Sequence, residues 1–331
     1  MLNKNLLRCL LLALMYFLPI VIIYSQPEKE AGKVTVVATL PPLASLVKTV
    51  GGEKVDVKYL VPAASDPHQY IPTLSDVAMV STCDLFVEVG KEPFLGSLPD
   101  KRGKMRLSWI NWTNANLTIR RGNPHYIWLY PENFKKIAYL VAETLSKLKP
   151  EYKQYFMMKA EEFSREIDEL VSWIKNYLEV HGANKYAVGL IGSHFTPLIE
   201  ALGLNYVGPL VETEGGAPSM GDVDRFLNEA RKRNIRVIVV LVTQKDSDEG
   251  RLARSIAKEL GVGIVYLHGL QFKAEDSIIE YYKYTVTALV ASLEHGSIQE
   301  EEGFRWDLLS LILAATLAGE TIILLRWRRS I

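Results

Sequence analysis

From Glu151 to Glu179 the chain runs without a proline or a glycine, and Tyr152, Tyr155, Phe156, Ala160, Phe163, Ile167, Leu170, Val171, Ile174 and Leu178 recur at helical spacing among charged residues. An apolar stripe of this period with charges elsewhere is an amphipathic helix lying on a core. At 1.5 Å per residue such a helix is about 40 Å long. That is too long for an ordinary connection inside one small lobe, so it is expected to act as a rigid strut between two lobes. The full length of 331 residues suits two lobes of ordinary size.

On either side of the strut, strand-like and helix-like stretches alternate. Before it, Val34–Ala38, Val55–Val61 and Asp84–Val89 read as strands, and Leu43–Val50 as a helix stopped at Gly51-Gly52. Thr73 with Asp76 has the spacing of a capping box, opening a helix through Val80. The basic, Asn-rich stretch from Pro99 to Asn123 reads as irregular, and a helix runs from Pro131 to Leu148. After the strut, strands are expected at Tyr186–Ile191, Ile235–Val242 and Gly263–Leu267. Helices are expected at Leu198–Ala201, Ser219–Lys232, Gly250–Leu260 and Asp276–Leu293. The nearly unbroken β-branched run Ile235–Val242 marks a central parallel strand. Such alternation means α/β with parallel sheets. The expected fold is therefore two parallel-sheet α/β lobes, residues 33–149 and 182–295, joined by a long rigid helix at 150–181.

Both chain ends are apolar. Lys4 and Arg8 precede an apolar run from Cys9 to Tyr24, so residues 1–25 read as a signal peptide or signal anchor. Cys9 stands at the front of that run, so it is not read as a lipidation site. Leu308–Leu325 is apolar apart from Ser310, Thr316, Glu320 and Thr321, close to the ~20 residues that span a bilayer. Trp306 and Trp327 flank it as interface anchors, which makes residues 306–327 a candidate transmembrane helix. Arg326, Arg328 and Arg329 follow, so the positive-inside rule puts the C-terminus in the cytoplasm and the two lobes outside. The sequons at Asn111 and Asn116 suit an exterior surface. Lys plus Arg and Asp plus Glu each number 38, and this balance argues against a nucleic-acid partner. With Cys83 the only cysteine beyond the N-terminal run, a disulfide framework or a Cys-rich zinc module is excluded.

The chemistry points to the histidines. His181 and His295 sit at helix ends and read as exposed groups suited to the helix dipole. The other four, His68, His125, His194 and His268, differ. His68, His194 and His268 each follow an expected strand, and in open α/β sheets ligands bind outside the carboxyl ends of the strands. His125 lies in a loop just before a helix. Two imidazoles from each lobe suit a tetrahedral nitrogen site for zinc.

The run Asp66-Pro67-His68-Gln69-Tyr70-Ile71-Pro72-Thr73-Leu74-Ser75-Asp76 closely resembles the signature D-P-H-x-Y-x-P-T-P-S-D of the zinc and manganese solute-binding proteins of ABC transporters, departing only at Leu74. Asn123-Pro124-His125, Trp128-Leu129 and Pro131-Glu132-Asn133 resemble that family's second motif, D-P-H-x-W-L-D-P-E-N. There Asn123 and Tyr130 replace two Asp residues, and one extra residue follows His125. Ser193-His194 with Leu202-Gly203-Leu204 resembles the third ligand region at a shorter spacing. His268 falls where the family usually offers an Asp. The resemblance covers about Lys33 to Leu293. It implies two α/β lobes joined by a long helix, with His68, His125, His194 and His268 holding one zinc ion, or alternatively manganese. It also implies a monomeric receptor at the cell membrane, with the metal-binding part extracytoplasmic, serving a metal permease and its ATPase.

Asp276 reads first as the N-cap of the helix that follows it and second as a substitute fourth ligand. Asp66 can orient His68 from behind or cap its loop. A different class, a membrane-anchored zinc hydrolase, would need three protein ligands, an open water position and a general base. No H-E-x-x-H motif or nucleophile elbow is present, so no enzymatic activity is expected.

Overall fold

The computed structural model describes residues 32–296 except Ala64, Lys101 and residues 121–125, 213–215 and 271–276. The apolar stretches at 1–25 and 306–327 lie outside the described residues. Among the described residues, no helix is long and apolar enough to cross a membrane.

Two four-stranded parallel sheets repeat one topology. The first holds β1 (Val34–Ala38), β2 (Val55–Tyr59), β3 (Leu85–Val87) and β4 (Met105–Leu107) in the order β2-β1-β3-β4. The second holds β5 (Ala187–Leu190), β6 (Asn205–Val207), β7 (Ile235–Leu241) and β8 (Gly263–Leu267) in the order β6-β5-β7-β8. Val36 of β1 pairs with Leu85 of β3, and Val188 of β5 with Val237 of β7, all in parallel register. In each sheet the chain leaves the first strand for one neighbour and later returns to its other side. That reversal opens a crevice at the carboxyl ends, beside β1 and β3 in one lobe and β5 and β7 in the other.

The helices form where caps and apolar stripes coincide. They are α1 (Pro41–Gly51), α2 (Leu74–Thr82), α3 (Trp109–Asn114), α4 (Pro131–Leu148), α5 (Lys153–Val180), α6 (Thr196–Leu202), α7 (Met220–Lys232), α8 (Asp248–Leu260) and α9 (Ile278–His295). Thr73 and Asp76 form the capping box that opens α2, and Ser219 and Asp222 do the same for α7. The cap of α9 is Ser277, whose hydroxyl accepts from the Ile279 N–H at 3.2 Å, so the cap expected at Asp276 moves one residue on. Asp276 itself lies outside the described residues.

The stretch from Pro99 to Asn123, expected to be irregular, contains β4 and α3. Trp112 of α3 is fully buried and donates its indole N–H to the Glu88 carbonyl at 2.9 Å, which anchors the segment on the sheet. Asn111 accepts from the Ser108 N–H at 2.9 Å in the cap of α3.

Helix α5 buries Phe156, Ala160, Phe163, Ile167, Leu170, Ile174 and Leu178 and turns its charges outward. It packs along α4 and also meets α1 of the first lobe and α9 of the second. One apolar core therefore runs from Val34 through α5 to Leu293, and a smaller core around Ile191, Ile238 and Ile256 covers the far face of the second sheet. His181, expected to be exposed, is half-buried, its Nδ1 2.7 Å from Glu294 of α9, whereas His295 is exposed. Cys83 is a buried free thiol whose pKa burial pushes up to about 11.

Candidate metal centre

His68 lies on a single turn, Pro67–Gln69, between β2 and α2. Asp66 accepts from the His68 backbone N–H at 2.9 Å, so its carboxylate holds the loop backbone. Downstream, Asp76 accepts from the Tyr70 hydroxyl at 2.7 Å and from the Thr73 N–H and hydroxyl, each at 2.7 Å. Burial works to raise the Asp76 pKa, but these donated bonds outweigh it and hold the carboxyl below its ordinary value. Tyr70 packs edge-on against Phe94, with ring centroids 4.9 Å apart. The loop that carries half-buried His68 is thus fixed at both ends.

His194 follows β5 and precedes α6, and is 7% exposed. Its ring meets Tyr126 edge-on at 5.6 Å between centroids. Its Nδ1 stands 3.8 Å from Oε1 of Glu249 at the start of α8. His268 follows β8 and is half-buried, and burial lowers its pKa from the ordinary value. Two bonds pin its loop, and a third holds Trp128, which makes one of them. The Tyr281 hydroxyl donates to the His268 carbonyl at 2.6 Å, the Trp128 indole donates to the Gly269 carbonyl at 2.9 Å, and the Tyr282 hydroxyl donates to the Trp128 carbonyl.

These loops converge. A narrow cavity is lined by Ser65 and Pro67 from the His68 loop, by Tyr126, and by Thr243, His268 and Gly269 from the second lobe. Of the histidines only His268 lines this cavity; the His68 loop reaches it through Ser65 and Pro67, and His194 packs against Tyr126 at its wall. Among the described residues, no three His, Cys, Asp or Glu side chains already stand together at metal-holding distance. His125 lies outside the described residues, but its neighbour Tyr126 is at the centre of this convergence.

The flanks of that segment are tied across the lobes. Glu200 of α6 accepts from the Tyr130 hydroxyl at 2.7 Å and from the Tyr206 hydroxyl at 3.0 Å, and is paired with Arg120. Arg120 also reaches Glu212 at 3.6 Å. Neither Glu249 nor Glu200 emerged from the sequence as a site residue. The one available signal for Glu249 was an acidic residue in the first turn of a helix after the central strand, a position where sheet crevices collect ligands. Chemically, an imidazole at the cavity and a second one packed on Tyr126, with a carboxylate 3.8 Å from it, are donor types that suit a borderline divalent cation.

Comparison with known proteins gives a consistent result. Residues 36–295 match the family model described as zinc-uptake complex component A, periplasmic. The manganese-binding lipoprotein MntA of Halalkalibacterium halodurans is 24% identical over 270 residues, covering 78% of this chain and 88% of that protein. The zinc-binding lipoprotein AdcA of Streptococcus pneumoniae is 25% identical over 273 residues, covering 76% of this chain and 53% of that longer protein. The solved periplasmic zinc-binding protein TroA from Treponema pallidum superposes with a TM-score of 0.66 at 21% identity, over 79% of this chain and 99% of that one.

Proposed function

The chain belongs to the family of periplasmic zinc-uptake components, and on that premise we propose that it captures one zinc ion between its lobes and delivers it to an ABC importer. Family members are the substrate-binding components of ABC transporters and not enzymes. The partners are therefore a metal permease and its ATPase, and the lobes face the exterior. The ligands we assign are His68, His125, His194 and His268, with anchoring by the apolar stretch at 306–327.

The observation that carries this reading is the convergence of the His68 and His268 loops, one from each lobe, on one narrow cavity beside Tyr126. A ligand held by both lobes can be recognised by a transporter as a closed unit, which a site within one lobe could not signal.

Zinc is favoured over manganese by donor chemistry. Manganese is harder and prefers carboxylate oxygen, whereas zinc is well served by imidazole. His268 supplies an imidazole where a carboxylate would favour the harder ion. Manganese capture is the second reading, supported by the likeness to the manganese-binding lipoprotein MntA.

The test is metal analysis followed by competitive titration of zinc and manganese on the purified protein. About one zinc per chain, held more tightly than manganese, is expected. No uptake of either ion would overturn the proposal, and tighter manganese would favour the second reading.

A further inference from the structure

The least expected neighbour of His194 is Glu249. Its side chain is 10% exposed and that of His194 9%, with Oε1 and Nδ1 3.8 Å apart. The pair arises from topology. His194 ends the connection after β5, Glu249 lies in the first turn of the helix after β7, and β5 and β7 are adjacent at the centre of the sheet. The two residues therefore face each other across the crevice where the strand order reverses.

The slot that holds the carboxylate is fitted to it. A Cβ added at Gly192 would lie 2.4 Å from Glu249 Oε1 and 2.5 Å from Oε2, closer than real Cβ contacts come. Gly250, the next residue after Glu249, packs so tightly that a Cβ would stand 2.0 Å from the Lys245 carbonyl oxygen. The Ser247 cap fixes the start of α8. Glu249 also lines a cavity where the apolar side chains of Val211, Val223 and Leu252 meet the polar ones of Gln244, Ser247 and Asp248. Burying a carboxylate against apolar groups costs free energy, which a nearby positive charge offsets.

The separation of 3.8 Å is about 1 Å longer than an ordinary N–H···O bond. Metal-ligating imidazoles usually donate their second ring N–H to a carboxylate, carbonyl or water, which fixes the tautomer and strengthens the ligand. Four neutral imidazoles would also leave the ion's double charge without an anion near it. We propose that Glu249 is a positioning and charge-compensating residue for metal capture. Its carboxylate accepts Nδ1–H of His194, presents Nε2 to the ion, and supplies the negative charge that the imidazoles lack. This rests on the reading of His194 as a ligand.

The test compares zinc affinity, by chelator competition, in the full-length protein and its Glu249→Gln, Gly192→Ala, His194→Ala and His194→Ala/Glu249→Gln variants, together with the unfolding midpoint of each without metal. Loss of a group behind a ligand typically lowers metal affinity about 10–100-fold. Glu249→Gln is expected to lose that much with its midpoint unchanged. Gly192→Ala, which displaces the same carboxylate, should lose affinity in the same direction. In the double variant the Glu249 change should add little to the His194→Ala loss, because both act through one ring. Wild-type affinity in Glu249→Gln, or a full additional loss in the double variant, would overturn the inference while leaving metal capture intact. A wild-type protein that takes up no zinc would overturn the proposed function and this inference with it.

Discussion

At the scale of single residues, the consequences concentrate on His268. A carboxylate there would offer a hard anionic oxygen, so His268→Asp should shift the preference toward manganese. His268→Ala should weaken zinc by more than the about 10–100-fold that follows loss of a supporting group. Both are read by competitive titration, and wild-type zinc affinity in His268→Ala would remove His268 from the ligand set. Zinc affinity should fall with pH, because a metal-binding imidazole must be neutral. Burial lowers the His268 pKa, so the proton competes there only below the ordinary histidine value of about 6.5, and this ligand stays available further into acid. The same shift has a sign for stability without metal. The unfolded chain binds the proton more readily at His268, so this contribution is present above about 6.5 and is lost as the pH falls. Much at this scale was legible in the sequence. The Thr73–Asp76 spacing predicted the capping box that the structure shows, and the strand-then-histidine order put His68, His194 and His268 at carboxyl ends. Glu249 was not legible, because its place beside His194 depends on β5 and β7 being neighbours, which no local pattern in either segment encodes.

At the scale of elements, legibility follows length and burial. Strand β7 stood out because its β-branched residues are buried on both faces, Arg236 excepted. Strands β4 and β6 are three-residue edge strands, Met105–Leu107 and Asn205–Val207, too short to show a period. Helix α3, six residues and under two turns long, is equally brief, and only the buried Trp112 marks it. Helix α5 was the most legible element, but its role is broader than a strut, since its stripe is part of a core shared by both lobes. Phe163 shows what depends on it. It is 2% exposed and packs edge-on against Phe134 at 6.3 Å. Phe163→Ala should cost about 3–5 kcal/mol by lost burial and the cavity left behind. Urea unfolding measures this, and a loss below about 1 kcal/mol would mean that the helix is not anchored through this face.

For the whole molecule, the two sheets of one topology place their crevices toward each other, and α5 with the shared core fixes their relation. Trp128, Tyr282 and the Glu200 hub tie the lobes near the cleft, so a captured ion meets a frame already assembled. The function proposed for that frame is capture of one zinc ion by imidazoles contributed from both lobes, outside the membrane and for a membrane importer. The most direct measurement is X-ray absorption at the zinc edge on the zinc-loaded protein, because it reports the atoms bound to the metal itself. The account predicts a four-coordinate shell of nitrogens at about 2.0–2.1 Å with the scattering pattern of imidazole rings. A shell dominated by carboxylate or water oxygens, or a protein that retains no zinc, would contradict it.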